Sequence, residues 1–351
     1  MAIYSKESGR ANSVIGRIST PIKMIIEHES NLLAKKGGTC DWLFNVEKSN
    51  RFGETIVNQI GFGMFRAAAE GESATADRVV DVNTKFIEHI QFMKEFVITA
   101  EMMEDANYGI AADAKRRVEN FVRAYYKTIN KACEQALANA TLSSCNFGGT
   151  KLDLTANDGY PLFSKSHYYA DNPDFTQSNY FWGDALRTGE DRAVSPEAFA
   201  KTLYTVGSKI RNMLDDNFDV LGYTADTIIL PGNRPVLEAV AKTVCGSDRM
   251  PGSAVNDINL HYGNWNIVIM PSWCPSDDRF MVMSSEANKS IAGNMFFNRI
   301  PLTVSHWIDH HTGNYIWNGR CRFGLGFGNY KHIALVVDSA TEISNATRLT
   351  D

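Results

Sequence analysis

The stretch EDANYGIAADAKRRVENFVRAYYKTINKACEQALANA (Glu104–Ala140) decides the fold. It has no proline and a single glycine, and its apolar residues recur at intervals of three, four and seven. That period places them on one side of an α-helix. The expected apolar stripe is Ile110, Ala111, Ala114, Val118, Phe121, Val122, Tyr125, Ile129, Ala132, Cys133, Ala136, Leu137 and Ala140. The charged residues expected mostly outside this stripe are Lys115, Arg116, Glu119, Arg123, Lys127 and Glu134. The sequence predicts one helix from about Met103 to Thr141, roughly 55 Å long, which we name the spine helix.

Bulk composition describes an ordinary globular chain. Its 351 residues are 44% hydrophobic and 21% charged, enough for about two domains. A net charge of -5 disfavours a surface that wraps nucleic acid, because such surfaces are usually basic. This net charge is compatible with a protein surface that faces nucleic acid without binding it tightly. Since the start MAIYSKESGR lacks the apolar core of a signal peptide and no run of about eighteen apolar residues occurs, we expect a soluble protein made inside the cell.

The first forty residues are polar and irregular in pattern, with short apolar patches at Val14–Ile18 and Ile22–Ile26. Two interpretations fit: an arm that lies on a neighbouring subunit, or a short helix packed on its own domain. Nothing in the segment makes a self-contained core, which favours the arm.

Residues 41–99 predict a long β-hairpin. Partial alternation and β-branched residues mark strand segments at Thr55–Ile60, Gly61–Ala68, Arg78–Phe86 and Ile87–Ile98. Between them lies the small, acidic, turn-like EGESATAD (Glu70–Asp77). A two-stranded ribbon is marginal alone in water. The hairpin must therefore lie back on its own domain, as an ordinary sheet hairpin would, or reach across another subunit.

After the spine helix the pattern changes to alternating helices and strands. Ser195 is a candidate N-cap and Pro196 a first-turn residue for a helix that runs to about Asp216. The predicted elements that follow are a strand at Thr227–Leu230, a helix at Arg234–Val244, and strands at Asn266–Met270, Phe280–Ser284, Asn314–Phe323 and Ile333–Val337. Residues 217–300 can therefore fold as an α/β domain, closed by a β segment.

The densest set of potential metal ligands is His306, Asp309, His310 and His311. The surrounding pattern is that of a strand and a turn, with no HExxH motif and no third ligand placed by spacing. Surface or turn histidines are therefore the better interpretation, and a metal-dependent enzyme that uses this cluster is the alternative. The cysteines (Cys40, Cys133, Cys145, Cys245, Cys274 and Cys321) form no CxxC pair, and we expect small buried hydrophobic side chains.

Two glycine-rich runs superficially resemble phosphate-binding loops. A dinucleotide fingerprint needs GxGxxG between a strand and a helix, but a strand follows Gly324–Gly328, and Gly61–Gly63 fails the same test. A bend or bulge in a sheet is the better interpretation of both. No pair of carboxylates stands out for acid–base chemistry. We therefore predict no enzyme, and no catalytic, cofactor-binding or metal-binding residues.

The order of the parts is more specific than any single motif: an arm, a polar-tipped hairpin, a spine helix, a β segment, an α/β domain and a closing β segment. This order resembles the major capsid proteins of tailed bacteriophages, which have the Hong Kong ninety-seven-type fold. The resemblance covers nearly the whole chain. Locally it rests on YPLFSKSH (Tyr160–His167), TADTIILP (Thr224–Pro231) and WNGRCRFG (Trp317–Gly324).

The resemblance implies an α+β fold with a defined division of the chain. Residues 1–45 would be the N-terminal arm and 46–100 the extended loop, a β-hairpin that overlaps an adjacent subunit. Residues 101–216 and 301–351 would form the peripheral domain with the spine helix. Residues 217–300 would form the axial domain, which clusters around five-fold and six-fold axes.

The same resemblance implies a role and partners. Family members assemble into pentamers and hexamers and then into an icosahedral head around double-stranded DNA, which is not bound sequence-specifically. A spine helix that begins near residue 102 leaves no room for a preceding scaffolding segment, so we expect a separate scaffolding protein. The resemblance also implies a portal and decoration proteins as partners. It implies assembly in the bacterial cytoplasm, without a membrane. An encapsulin-type compartment shell is the alternative with the same fold. Some relatives carry lysine–asparagine cross-links; Lys85 and Lys94 lie in or near the loop, but no local motif marks either as a cross-linker.

Overall fold

A computed structural model describes residues 3–4, 14–60, 67, 69–73, 80–99, 101, 110–169, 174–188, 193–249 and 258–349. In these ranges the helices are α1 (Val14–Lys36), α2 (Thr39–Leu43), α3 (Ile110–Ala138), α4 (Pro196–Arg211), α5 (Pro235–Gly246) and α6 (Ser285–Ser290). The strands are β1 (Ile3–Tyr4), β2 (Asn45–Lys48), β3 (Gly53–Ile60), β4 (Val80–Glu88), β5 (Ile90–Ile98), β6 (Ser144–Phe147), β7 (Thr150–Asp153), β8 (His167–Tyr168), β9 (Thr176–Gln177), β10 (Tyr180–Gly183), β11 (Arg187–Thr188), β12 (Ala193–Val194), β13 (Thr227–Pro231), β14 (Asn266–Met270), β15 (Arg279–Met283), β16 (Asn294–Ile308), β17 (Tyr315–Phe327), β18 (Ile333–Asp338) and β19 (Thr347–Arg348). The α+β class is as predicted.

Helix α3 is the predicted spine helix. It has 29 residues as described, about 43 Å at 1.5 Å per residue. Residues 103–109 of the predicted helix lie outside the described residues, and residues 139–141 form turns. The buried members of the predicted stripe include Val118, Val122, Ala132, Cys133, Ala136 and Leu137. The three-and-four spacing thus identified the buried side correctly.

One predicted charge position is wrong: Glu134 is 4% exposed rather than on the solvent side. Its carboxylate accepts hydrogen bonds from the Thr39 hydroxyl at 2.7 Å and from the Ser272 backbone N–H at 2.8 Å. A buried carboxylate needs such partners, because desolvation otherwise disfavours its charge. Glu134 therefore joins the start of α2 and the loop after β14 to the spine helix.

The first sheet is five-stranded, in the order β1-β16-β17-β5, with β2 also paired to β16. Strands β16, β17 and β5 are antiparallel, whereas β1 and β2 run parallel to β16. Along β17, Trp317, Cys321 and Phe323 are buried on the side of the spine helix, while Arg320 is exposed on the other side. This period of two is that of a sheet with one face packed on a helix.

The second sheet is six-stranded and mixed, in the order β14-β13-β15-β18-β10-β19. Both of its faces are buried, and successive residues of one strand enter different cores. In β15, Phe280 and Val282 pack towards α4 and α5, while Met281 and Met283 pack into the large core shared with the spine helix and α2. The predicted boundaries at 216 and 300 separate strands that are neighbours in this sheet. The division into peripheral and axial domains stays a prediction.

The N-terminal segment differs from the expected irregular arm. Helix α1 has 23 residues and packs on the spine helix, with Ile26 fully buried and Glu29 paired to Arg123 at 2.6 Å. Helix α2 adds Leu43 to the large core. The structure shows the second of the two interpretations, a helix packed on its own domain, although the helix is long. The sequence favoured the arm because Pro21 lies inside α1, where proline normally disfavours helix. Packing on the spine helix outweighs that local preference.

Candidate assembly surfaces

The hairpin is present as predicted, with shorter strands. Strands β3 and β4 pair antiparallel from Gly53–Glu88 to Ile60–Val80. Residues 69–73 are exposed at the tip, where the Glu72 N–H donates to the Ala69 carbonyl at 3.0 Å. The predicted segment at 61–68 and residues 74–77 of the tip lie outside the described residues, except exposed Ala67.

The predicted strand at Ile87–Ile98 is two elements rather than one. The hairpin ends at Glu88, and after His89 the chain enters β5, which pairs with β17 in the first sheet. The His89 imidazole is buried and its Nδ1 lies 3.1 Å from the Arg51 carbonyl oxygen across the hairpin base. His89 therefore connects the hairpin to the first sheet.

The inner face of the hairpin packs on its own subunit. Ile56 and Ile87 contact Met295 and Phe297 of β16. A Cβ at Gly326 would lie 2.7 Å from the Ile87 side chain, so glycine allows the hairpin base to approach β17 closely. Residues 324–327 of the glycine-rich run lie in β17 without a bulge, since the β16–β17 register is regular from Asn294 to Asn298. The chain bends at Gly328, directly after the strand, so the prediction of a bend or bulge in a sheet holds for the bend. The run Gly61–Gly63 lies outside the described residues.

Lys85 anchors the hairpin to the β6–β7 ribbon. Its ammonium donates to an Asp153 carboxylate oxygen and, at 2.6 Å, to the Thr155 hydroxyl. Partial burial raises the pKa of Asp153, but hydrogen bonds from Lys85 and Thr155 outweigh burial and lower it below its usual value. Lys85 is 6% exposed, so it is occupied within its own subunit. Lys94, the other lysine considered as a cross-linker, is exposed on β5.

Asp216 forms a second anchor for the hairpin. One of its carboxylate oxygens accepts from the Asn58 amide at 2.9 Å, and the other accepts from Lys331 at 3.2 Å. The Lys331 ammonium is buried over the Tyr169 ring, 5.5 Å from its centroid. Both anchors hold the lower half of the hairpin to the body and leave its tip without a described anchor on the body.

The outer face of the hairpin is apolar and exposed. Phe52 is 61% exposed, Phe86 53% and Val57 41%. The two phenyl rings stack with centroids 6.5 Å apart, and the Arg322 guanidinium lies over the Phe52 ring at 5.4 Å. Large exposed aromatic side chains on a preformed ribbon mark a protein-binding surface, because their burial yields most of the energy of an interface.

The predicted histidine cluster does not assemble a metal site. His306 lies in β16, and its ring stacks on the Trp317 ring with centroids 4.7 Å apart. Burial lowers the pKa of His306, and the positive charge of nearby Lys23 lowers it further. Asp309 accepts from the Thr312 hydroxyl at 2.6 Å and from the His311 N–H at 3.1 Å, so its carboxylate closes the turn. Across the described ranges, no three His, Cys, Asp or Glu residues are grouped to hold a metal ion.

The cysteines are all free thiols. Cys40, Cys133, Cys245 and Cys321 are buried as expected, whereas Cys145 is half-buried and Cys274 is exposed, which the sequence did not indicate. None of the described helices is both long enough and apolar enough to cross a membrane.

Comparison with protein families finds no matching family, and comparison with curated proteins finds no significant match. Among solved structures, the capsid of the cyanophage P-SCSP1u matches with a TM-score of 0.50 at 10% identity, over 85% of this chain and 87% of that chain. The capsid of Myoviridae phage XM1 matches at 0.49, with 10% identity over 86% and 92%. A virus-like particle from Pyrococcus furiosus matches at 0.47, with 8% identity over 90% and 98%.

The first of these likenesses establishes the fold. This chain has the fold of tailed-phage major capsid proteins, the Hong Kong ninety-seven-type fold, as the sequence predicted.

Sequence reasoning missed the two anchors and the apolar outer face of the hairpin. Lys85 and Asp153 lie 68 residues apart, and no local pattern relates them. The outer face had a usable signal, because Phe52 and Phe86 flank the strands that the alternation identified.

Proposed function

We propose that this chain is the major capsid protein of a tailed phage or prophage. Copies assemble into pentamers and hexamers, and these form the icosahedral head that encloses double-stranded DNA, in the cytoplasm of the bacterial host. The observation that carries the proposal is the hairpin: it is fixed to its own body by Lys85 and Asp216 and presents Phe52, Val57 and Phe86 to solvent. A second copy that covers this face would bury the exposed rings.

The two sheets correspond to the two expected domains of such a subunit. We assign the peripheral domain to the first sheet with α1 and the spine helix, and the axial domain to the second sheet with α4 and α5. This assignment differs from the division expected from the sequence, which placed β10, α4, β18 and β19 in the peripheral domain. Residues 217–300, expected from the sequence to be axial, supply β13, β14, β15 and α5 to this second domain. The role is structural, without catalysis. Further partners are a separate scaffolding protein, a portal and decoration proteins.

The test is negative-stain electron microscopy of the purified full-length chain, with size-exclusion chromatography, both with and without polyethylene glycol as a crowding agent. Closed shells, or rings of five and six subunits, are expected. A monodisperse monomer or dimer in both conditions, and also after co-expression with the proposed scaffolding protein, would contradict the proposal.

Deletion of residues 70–77 tests whether the hairpin tip is needed for assembly but not for folding of the subunit. Residues 69–73, the part of the tip that the structure describes, do not contribute to the described cores, so we expect circular dichroism and the unfolding temperature to be unchanged while shells fail to form. A deletion variant that assembles like the unaltered chain would exclude an inter-subunit role for the tip.

An encapsulin-type compartment is the second candidate, favoured by one observation. The N-terminal helix α1 packs on the spine helix of its own subunit, and in encapsulins an N-terminal helix takes part in the groove that binds cargo peptides. Nuclease-protected DNA inside particles from infected or induced cells would identify a phage head, whereas enclosed protein would identify a compartment.

A further inference from the structure

A cleft of about 460 Å³ lies beside the spine helix, between the end of α1 and the start of α2. Gly37 and Gly38 open it by turning the chain between these helices. Gly37 has φ +69°, and a Cβ at Gly38 would lie 2.3 Å from the Asn130 side-chain oxygen. The volume is that of a site that takes one or two side chains of a ligand.

The floor and mouth of the cleft are apolar. Tyr125, Ile129 and Phe296 line the floor. Val46 lines the mouth at 48% exposure, and Trp42, 56% exposed, lies against Gly37. Apolar surface of this kind favours a ligand with an aliphatic or aromatic side chain.

Three lysines form the rim of the cleft. Lys127 and Lys131 are four residues apart on the spine helix, and Lys36 is in the last turn of α1. All three are exposed, and in the described parts of the chain none lies within ion-pair distance of a carboxylate. Like charges at this helical spacing repel each other, so the rim would gain from an anionic partner.

Two carboxylates line the cleft, buried Glu134 and exposed Asp41, and both accept hydrogen bonds from neutral groups of the chain. Both oxygens of Glu134 accept hydrogen bonds, from Thr39 and Ser272, and an Asp41 oxygen accepts from the Gly38 N–H at 2.9 Å. Arg123, the fourth cation at the cleft, is paired to Glu29 at 2.6 Å. Because the donors to Asp41 and Glu134 are neutral, these two carboxylates keep their negative charge. The four cations at the cleft still outnumber the three carboxylates, Glu29, Asp41 and Glu134, and the exposed rim formed by the three lysines is positive.

We propose that this cleft is a docking site for an acidic segment of a separate protein, with an apolar side chain in the cleft and Asp or Glu residues against Lys36, Lys127 and Lys131. The apolar floor favours a peptide over nucleic acid, whose phosphates would use the lysines alone. The hairpin of the same subunit does not reach the cleft, because Ile87 approaches Gly326 on one face of the first sheet, whereas the cleft is on the spine-helix face.

The test is fluorescence anisotropy with the full-length chain and three probes: a glutamate–tyrosine copolymer, polyglutamate of equal length, and a 30-base-pair DNA duplex. The copolymer should bind tightest, because only it supplies both charge and an aromatic anchor. The double variant Lys127→Glu with Lys131→Glu should bind it at least about tenfold more weakly, since reversed charges face the acidic ligand. Lys165→Glu, an exposed lysine outside the cleft, should bind like the unaltered chain.

Three outcomes would overturn the proposal: tighter binding of the duplex than of the copolymer, equal binding of the two glutamate polymers, or unchanged binding by the double variant. Circular dichroism of each variant confirms that it is folded. Shell formation is scored separately by electron microscopy, so shells without copolymer binding would refute the docking site and leave the proposed function standing.

Discussion

Phe121 of the spine helix lies directly over Gly319 of β17, so close that a Cβ at position 319 would be 2.2 Å from the Phe121 ring. The ring also packs against Phe96 of β5, with centroids 5.0 Å apart. One glycine thus sets the distance between the helix and the sheet that carries the hairpin.

Gly319→Ala should destabilise the subunit by about 1–3 kcal/mol, because Phe121 must shift within a packed core. The measurement is urea unfolding followed by circular dichroism. Gly207→Ala is the matched control: no atom lies within 4 Å of a Cβ there, and the residue is inside α4. That control should be neutral or stabilising by up to about 1 kcal/mol. Equal unfolding free energies for the two variants would contradict the close contact.

Val118→Asp should yield insoluble or unfolded protein, since Val118 is fully buried and an unpaired carboxylate there would lose its hydration. Asn120→Asp adds the same charge on the exposed side of the same helix and should remain soluble. The soluble fraction after expression and the circular dichroism spectrum provide the comparison. A soluble, folded Val118→Asp variant would mean that the buried side is misplaced.

Lys85→Met should loosen the hairpin rather than unfold the subunit. The Asp153 side chain is 60% exposed, so solvent limits the ion pair to at most about 1 kcal/mol. Hydrogen–deuterium exchange should speed up in residues 80–88, while Lys94→Met leaves it unchanged. Because the pKa of Asp153 is lowered in the folded state, the anchor is intact above the usual value near pH 4 and is lost as the pH falls below it. Equal exchange rates in residues 80–88 of the unaltered chain and of the Lys85→Met variant would exclude this anchor.

His332 should make the subunit acid-sensitive. Burial lowers its pKa to about 3, with Nε2 3.0 Å from the Asn294 side-chain oxygen. The unfolded chain takes up a proton below its pKa of about 6.5, whereas the folded chain keeps His332 neutral. The contribution of neutral His332 to the free energy of unfolding is therefore complete above that pH. It falls by up to about 1.4 kcal/mol per pH unit as the pH decreases towards 3.

His332→Gln should be less stable at pH 8 but lose part of this slope between pH 6.5 and 4, measured by urea unfolding at each pH. His311→Gln, at an exposed turn position, should keep the slope. An identical slope in all three proteins would refute the role of His332.

Phe86→Ser should reduce shell formation while leaving the subunit folded, since Phe86 is 53% exposed and stacks only on exposed Phe52 among the described rings. Particle yield by electron microscopy is the readout. Tyr204→Ser is the control, because Tyr204 on α4 is also an exposed aromatic residue, with 48% of its surface exposed. This variant should give the particle yield of the unaltered chain. Normal shells from Phe86→Ser would remove the outer face of the hairpin from the assembly surface.

Most of the fold follows from local sequence periodicity. The spacing of Val118, Val122, Ala132 and Ala136 identified the spine helix, and short continuous apolar runs identified the strands around Ile229 and Leu335. Helix α1 was only the less favoured of two interpretations, because Pro21 and the polar residues disfavour a helix whose stability depends on packing against the spine helix. The burial of Glu134 escaped for a similar reason: its partners, Thr39 and Ser272, are distant in sequence.

The candidate surfaces were less predictable than the fold. Hairpin existence followed from alternation around an acidic tip, but which face is anchored depends on Lys85–Asp153 and Asn58–Asp216, and these pairs form only in the folded chain. The cleft likewise depends on the turn at Gly37–Gly38 and the packing of α1, which the sequence pattern did not indicate.

The order of strands in the second sheet bears on when a subunit can fold during its synthesis. Strand β18 (Ile333–Asp338) lies between β15 and β10 and supplies residues to both cores. Strand β13 pairs directly with β14 and β15, but β10 cannot join them until β18 has emerged from the ribosome, because β18 is the strand that lies between β10 and β15. Non-local pairing of this kind is slow to form. The second sheet of a nascent chain is therefore complete only after residues 333–338 have left the ribosome, and under the proposed function a subunit could not join a shell in its final fold before that point.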